Sequence, residues 1–280
     1  MFSTIYSPAK INIFLKIEGH DKASGMHFLR SLFAPIDICD KLEIEESDTF
    51  SVVTNGIAEE IPTEKNIVFK AYSALRNYVG KELPQFSVKI EKSIPTGAGL
   101  GGGSSNAASF LKFVNEKSKL NLSLTQLIEI ASKVGSDVPF FILGRPAIVS
   151  GTGEKIETVE LPESGKFFVL VNPEIHVDTK LAYSLFDKTY PDCNTPNRVP
   201  ENFSWKTEHI FNDFEEIVFT EFSGIAKVKN ELELAGASKV FMSGSGSTLV
   251  AMTETEETTR KIVAEFSKRF KTVRKIGIAE

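Results

Sequence analysis

The chain has 280 residues, of which 41% are hydrophobic and 25% charged, enough for a substantial core and two domains of ordinary globular composition. A formal net charge of −5 argues against a general nucleic-acid-binding surface. Cys39 and Cys193 give no disulfide framework, the start Met1-Phe2-Ser3-Thr4-Ile5-Tyr6-Ser7-Pro8 lacks a signal-peptide pattern, and no apolar run reaches the ~20 residues of a membrane span, so a cytoplasmic protein is expected.

Lys10 to Glu18 alternates, with Ile11, Ile13, Leu15 and Ile17 on one side, which predicts a strand with one buried face. Lys10, Asn12 and Phe14 share the other face. Gly19 to Gly25 reads as a polar turn, Met26-His27 opens an apolar run ending near Pro35, and Lys41 to Glu45 and Phe50 to Val53 read as further strands. Asn66 to Val79 is a predicted helix, with Val68, Ala71, Tyr72, Leu75 and Val79 at helical spacing and Gly80 ending it. Phe86 to Ile90 alternates as a strand. Ala107, Phe110, Leu111 and Val114 mark an amphipathic helix, and Ser123 with Gln126 forms a capping box for the next, whose stripe is Leu124, Leu127, Ile128 and Ala131, with Gly135 at its end.

Leu161 to Gly165 is short, polar and turn-like, and predicts a boundary between a domain of residues 1–162 and one of residues 163–280. Beyond it, Phe167 to Val171 is a buried strand, and Thr179 to Phe186 and Phe211 to Leu234 are helical. Lys239 to Met242 and Thr248 to Met252 are strands around the turn Ser243-Gly244-Ser245-Gly246-Ser247, and a helix (Glu256 to Phe270) and a strand (Val273 to Ile278) close the chain. Both element types in irregular order predict an α+β fold.

Between the strand ending near Ile90 and the helix of Ala107 lies Pro95-Thr96-Gly97-Ala98-Gly99-Leu100-Gly101-Gly102-Gly103-Ser104-Ser105. Glycine allows close approach to the main chain, and Ser104-Ser105-Asn106 suits a helix start, where unpaired N–H groups and the dipole favour an anion. Together they predict a phosphate pocket. Gly97, Gly99 and Gly102 match the spacing of the dinucleotide fingerprint, but a second helix follows the first and the acid-tipped strand is missing. The P-loop pattern fails because Gly103 stands where its lysine should be.

The segment Ser7-Pro8-Ala9-Lys10-Ile11-Asn12, this loop and the turn Ser243 to Ser247 resemble the three motifs of the galactokinase, homoserine kinase, mevalonate kinase and phosphomevalonate kinase (GHMP) superfamily. Gly25-Met26-His27, Gly135-Ser136-Asp137-Val138-Pro139 and Asn194-Thr195-Pro196-Asn197-Arg198 are most similar to its member acting on a cytidine diphosphate sugar alcohol in the non-mevalonate isoprenoid pathway. The resemblance implies two α+β domains with the active site in the cleft between them, ATP with Mg²⁺ as the phosphoryl donor, and a small-molecule acceptor rather than a nucleic acid or membrane. Rival readings are a kinase of homoserine or mevalonate, and a non-catalytic nucleotide or sugar-phosphate sensor on the same fold.

Phosphoryl transfer needs clamped phosphates, a placed acceptor and a group to take the hydroxyl proton. The resemblance makes Asp137 that base, although an Asp before Val-Pro also suits a helix N-cap. It makes Lys10 the partner holding Asp137 ionised, with Asn12 beside it; the plain alternative is a solvated lysine at a strand start. Residues 95 to 105 would hold ATP, with Ser104 and Ser105 touching phosphate or magnesium, capping the helix, or both. Lys92 matches a position lining the adenine pocket, or is an exposed strand-end lysine. His27 resembles a cytosine-reading residue, Met26 stands where relatives carry a stacking aromatic, Tyr183 matches the second aromatic, and Thr179 resembles a residue near the substrate phosphates. The turn at 243–247 either supports the loop and substrate or is a bare hairpin. No metal-ligand spacing is visible.

Overall fold

In the computed structural model, residues 2–23, 25–56 and 61–278 are described. Met1, which opens the N-terminal pattern, and Ser24, within the expected turn, lie outside the described residues. Two long strands dominate the first part of the chain, β1 (Ser3–Asp21) and β2 (Met26–Ser47), paired as a hairpin. β1 runs past Gly19 to Asp21, so the turn is shorter than expected, and Gly25 N–H donates to Asp21 O at 2.8 Å. The alternation of β1 is sound but its reading is incomplete: Ile11, Ile13, Leu15 and Ile17 are buried, and so are Lys10, Asn12 and Phe14 on the other face. Pro35 does not end a strand. It falls in the gap between the stretch of β2 paired with β5 (Leu29 to Phe33) and the stretch paired with β4 (Lys41 to Ser47), where its missing N–H costs neither ladder a bond.

The chain forms two compact units: residues 1–9, 38–96 and 101–145, and residues 10–37, 97–100 and 146–280. In the first, β3 (Ser51–Asn55), α1 (Ile67–Val79) and β4 (Gln85–Glu91) make a β-α-β unit, with Val52 opposite Val88 in parallel register, and β4 pairs antiparallel with β2. Asn66 caps α1 by accepting from Val68 N–H, and Gly80 ends it in the left-handed region at φ 64°. Three further helices follow, α2 (Gly102–Lys117), α3 (Leu124–Ser132) and α4 (Val138–Leu143). The Ser123/Gln126 capping box forms as expected, but the buried stripe of α3 is Leu127, Ile130 and Ala131, with Leu124 exposed. Phe50 stacks on Tyr72, and Phe86 meets the edge of Phe110, giving this unit an aromatic core.

In the second unit β5 (Ala147–Gly151) pairs with β2 and with β6 (Lys155–Thr158), two strands the sequence pattern did not single out. A separate antiparallel sheet has the order β10-β7-β9-β8, from β7 (Phe167–Val171), β8 (Lys239–Met242), β9 (Leu249–Thr253) and β10 (Val273–Ile276). Against it lie α5 (Thr179–Thr189), α6 (Glu215–Glu221), α7 (Ser223–Leu234) and α8 (Glu256–Phe266), with Phe186, Phe214 and Phe266 in the shared core. The single helix expected over Phe211 to Leu234 is two. Phe222, at φ −112° and ψ 73°, breaks it, and residues 211–213 instead bond to β1: Leu15 N–H donates to Phe211 O at 2.9 Å and Asp213 N–H to Leu15 O at 3.0 Å.

Candidate functional site

Lys10 lies mid-strand, 3% exposed, so it is not a solvated strand-start lysine. Its Nζ donates to Asn12 Oδ1 at 2.6 Å and sits 4.5 Å from the centre of the Phe33 ring. Asn12 is fixed in turn, because its Nδ2 donates to Ser31 Oγ at 2.9 Å and Ser31 Oγ donates to Phe14 O at 2.5 Å. The amide oxygen of Asn12 is therefore held toward the ammonium, which fixes the direction of the buried lysine head.

The same strand anchors the middle of the glycine loop. Lys10 N–H donates to Leu100 O at 3.0 Å, Asn12 N–H donates to Ser243 Oγ at 3.2 Å, and Ser243 Oγ donates to Gly99 O at 2.9 Å. A Cβ on Gly99, whose φ is 78°, would stand 2.0 Å from Ser243 O. The turn at 243–247 is thus no bare hairpin: it braces the loop, and Asn212 braces the turn, its Nδ2 donating to Met242 O at 2.8 Å and Gly244 O at 2.7 Å.

In the first unit the helix after the loop begins at Gly102, two residues before the serines, with Gly101 as a left-handed N-cap that offers no side-chain bond. Ser104 and Ser105 are therefore first-turn residues and not caps. Ser105 Oγ is buried and has no hydrogen-bond partner among the described residues. The adjoining N–H groups of Gly102, Gly103 and Ser104 precede the first intrahelical bond, Ser105 N–H to Gly101 O at 2.9 Å. An orphan hydroxyl among helix-start donors suits a phosphate.

Lys92 is not an exposed strand-end lysine. Its side chain is 8% exposed and paired with the fully buried Asp40, whose other oxygen accepts from Ser93 N–H at 2.8 Å and Ile94 N–H at 2.9 Å. The pair ties β2, which carries Asp40, to the loop entrance. In Ile36-Asp37-Ile38-Cys39-Asp40-Lys41 nothing local distinguishes Asp40 from an ordinary surface acid beside Asp37 and Lys41, and the sequence reading missed it. Asp137 occupies the N-cap position of α4 but in helical geometry (φ −86°, ψ −13°) and without a capping bond, so the capping reading fails.

Thr179, Tyr183 and Asp187 recur every four residues along α5. Thr179 Oγ1 lies 2.9 Å from Ser245 Oγ, the Tyr183 ring stacks on His27 with centroids 4.2 Å apart, and His27 Nε2 lies 2.7 Å from Asp187 Oδ1. His20 stacks on the other side of His27, also at 4.2 Å. Met26 is 47% exposed at the start of β2. The second unit thus brings together Lys10, Asn12, residues 97–100, His27, Thr179 and Tyr183, and the first holds Lys92, Pro95, Thr96, residues 101–105 and Asp137. Asp187, His20, Ser31 and Asn212 were not anticipated. Only Asp187 had a signal, its i, i+4 spacing from Tyr183.

A glycine loop feeding a helix start, bound to a strand that carries a buried, oriented lysine, defines a protein that handles phosphate groups. The chain belongs to the GHMP kinase family of ATP-dependent small-molecule kinases: residues 66–145 match the GHMP kinases N terminal domain and residues 201–272 the GHMP kinases C terminal domain. Within that family it groups with the 4-diphosphocytidyl-2-C-methyl-D-erythritol kinases. The one from Parabacteroides distasonis is 39% identical over 88% of this chain and 90% of its own, and the one from Neisseria gonorrhoeae 32% identical over 93% and 89%. A crystal structure of 4-(cytidine 5'-diphospho)-2C-methyl-D-erythritol kinase superposes with a TM-score of 0.81 at 26% identity, covering 99% of this chain and 100% of that one. Homoserine kinase from Cytophaga hutchinsonii shares the fold, with a TM-score of 0.68 at 16% identity. Among the described residues no helix is long and apolar enough to cross a membrane.

Proposed function

We propose that this kinase transfers the terminal phosphoryl group of ATP to the 2-hydroxyl of 4-diphosphocytidyl-2-C-methyl-D-erythritol, in the cytoplasm. The observation that carries the reading is Lys10, a buried lysine whose ammonium is aimed by Asn12 on the strand that also bonds to the glycine loop. In this reading Asp137 takes the hydroxyl proton and Lys10 stabilises the charge of the transferring phosphoryl group. The first turn of α2 and residues 96–101 hold the ATP phosphates through N–H groups and the Ser104 and Ser105 hydroxyls, with Pro95 lining the loop entrance without a donor and Lys92 at the adenine side. Mg²⁺ bound with the nucleotide would be held beside the Ser104 and Ser105 hydroxyls and would supply neutralisation of the phosphate charge. His27, Met26 and Tyr183 take the cytidine end of the acceptor and Thr179 its phosphates.

The test is a coupled ADP-release assay with the cytidyl substrate, homoserine and mevalonate as separate acceptors, and ³¹P NMR of the product. Release with the cytidyl substrate and a new 2-phosphate signal is expected. Turnover of homoserine or mevalonate in its place would overturn the substrate assignment.

A further inference from the structure

The tip of the β1–β2 hairpin and one face of α5 hold His20, His27 and Asp187, with Tyr183 against His27, and the proposed function gives no role to His20 or Asp187. The His27 side chain is 7% exposed and that of Asp187 is 35% exposed. The nitrogen and oxygen atoms of the three residues lie within 4.8 Å of one another, close enough to raise the question of a metal. The rings answer it. His20 and His27 are stacked at an interplanar angle of 4°, so their in-plane lone pairs run parallel and do not converge on one ion. The arrangement is instead that of a clamped, oriented imidazole.

We infer that Asp187 is a positioning residue that fixes His27 in the Nε2–H tautomer and so makes its Nδ1 edge an acceptor, selecting a base that offers an amino group. The step follows from donor inventory. A carboxylate can only accept, so across the 2.7 Å contact His27 Nε2 carries the hydrogen. In the neutral ring the other nitrogen is then an acceptor, and Nδ1 makes no hydrogen bond among the described residues. His20 on one face and Tyr183 on the other, each at 4.2 Å, stop the ring from turning over and exchanging its edges. A cytosine presents an amino donor where a uracil presents a carbonyl acceptor, so an Nδ1 acceptor pairs with the first and opposes the second. The inference rests on His27 facing the cytidyl end of the substrate. Asp187 acts through His27 and touches no reacting atom.

Two measurements test it. Imidazole ¹⁵N NMR of the free protein reads the tautomer without any substrate. His27 should be Nε2–H in the native protein and in Asp187→Asn, whose amide oxygen still accepts, and a tautomer mixture in the isosteric Asp187→Leu. Steady-state kinetics with the cytidyl substrate and its uridyl analogue then read selectivity. Asp187→Leu should lose about tenfold of the cytidyl-over-uridyl preference in kcat/KM, mainly through the cytidyl KM, while Asp187→Asn retains it. An Nδ1–H tautomer in the native protein, or an unchanged preference in a folded Asp187→Leu, would overturn the inference. Absence of turnover with the cytidyl substrate would sink the proposed function, and the NMR result would still decide the tautomer.

Discussion

Asp137 stands at the first turn of α4 with its side chain not used to cap it. If it takes the acceptor's proton, Asp137→Asn should cut turnover by at least about a hundredfold while ATP still binds, since the fold around α4 loses no capping bond. Unaltered turnover in that variant would remove Asp137 from the mechanism. Glu215 carries a prediction of a different kind. Burial pushes its carboxyl from the ordinary 4.5 up to about 7, against the pull of the Met242 N–H bond at 2.9 Å and of Lys239 and Lys229. The folded state therefore holds this proton more tightly than the unfolded chain. The stability this confers is full below about pH 4.5, falls as the pH rises and is gone above about 7, a difference on the order of 3 kcal/mol. Thermal melts at pH 5 and pH 8 should show the native protein losing stability toward pH 8. Glu215→Gln, which keeps an acceptor for Met242 N–H but cannot titrate, should lose less.

At the scale of elements, the glycine loop separates into positions that serve the fold and positions that do not. Gly99 is required by Ser243, and Gly102 by Ile94, whose Cγ2 would lie 2.9 Å from an added Cβ. Gly103 is different: its Cβ would meet only Ile67 Cγ2 at 3.6 Å, an ordinary contact, and it lies inside a helix. Gly99→Ala should therefore cost about 2–4 kcal/mol of stability. Gly103→Ala should be neutral or stabilise by up to ~1 kcal/mol, yet raise the KM for ATP about tenfold by crowding the phosphates. Denaturation curves and ATP kinetics on the two variants check both halves, and an unchanged ATP KM in Gly103→Ala would refute phosphate contact at that residue.

At the scale of the molecule, the chain passes between the two compact units after residues 9, 37, 96, 100 and 145, so neither unit is one continuous stretch. The second depends on β1: Leu15 bonds to Phe211 and Asp213, and Ile17 N–H donates to Asp213 Oδ2 at 2.9 Å. A fragment of residues 163–280 alone, lacking those strand partners, should show no cooperative melting transition. A sharp transition in the isolated fragment would contradict that dependence.

The sequence by itself determined the local elements and the chemistry class. Helical spacing found α1, α3 and α5, Gly80 marked the end of α1 and Ser123 the start of α3, and glycines before a helix marked a phosphate loop, because each signal is carried by residues near one another along the chain. Only the tertiary structure decided what lies beside what. Alternation in β1 could not reveal that its polar face is buried as well, and nothing local to Pro35 reveals the gap between two ladders. Ser243 beside Gly99 is a pairing across 144 positions, and Asp187 beside His27 one across 160. The physical reason is the same in each case: burial and long-range hydrogen bonding depend on the whole folded chain, whereas propensity and periodicity depend only on neighbours.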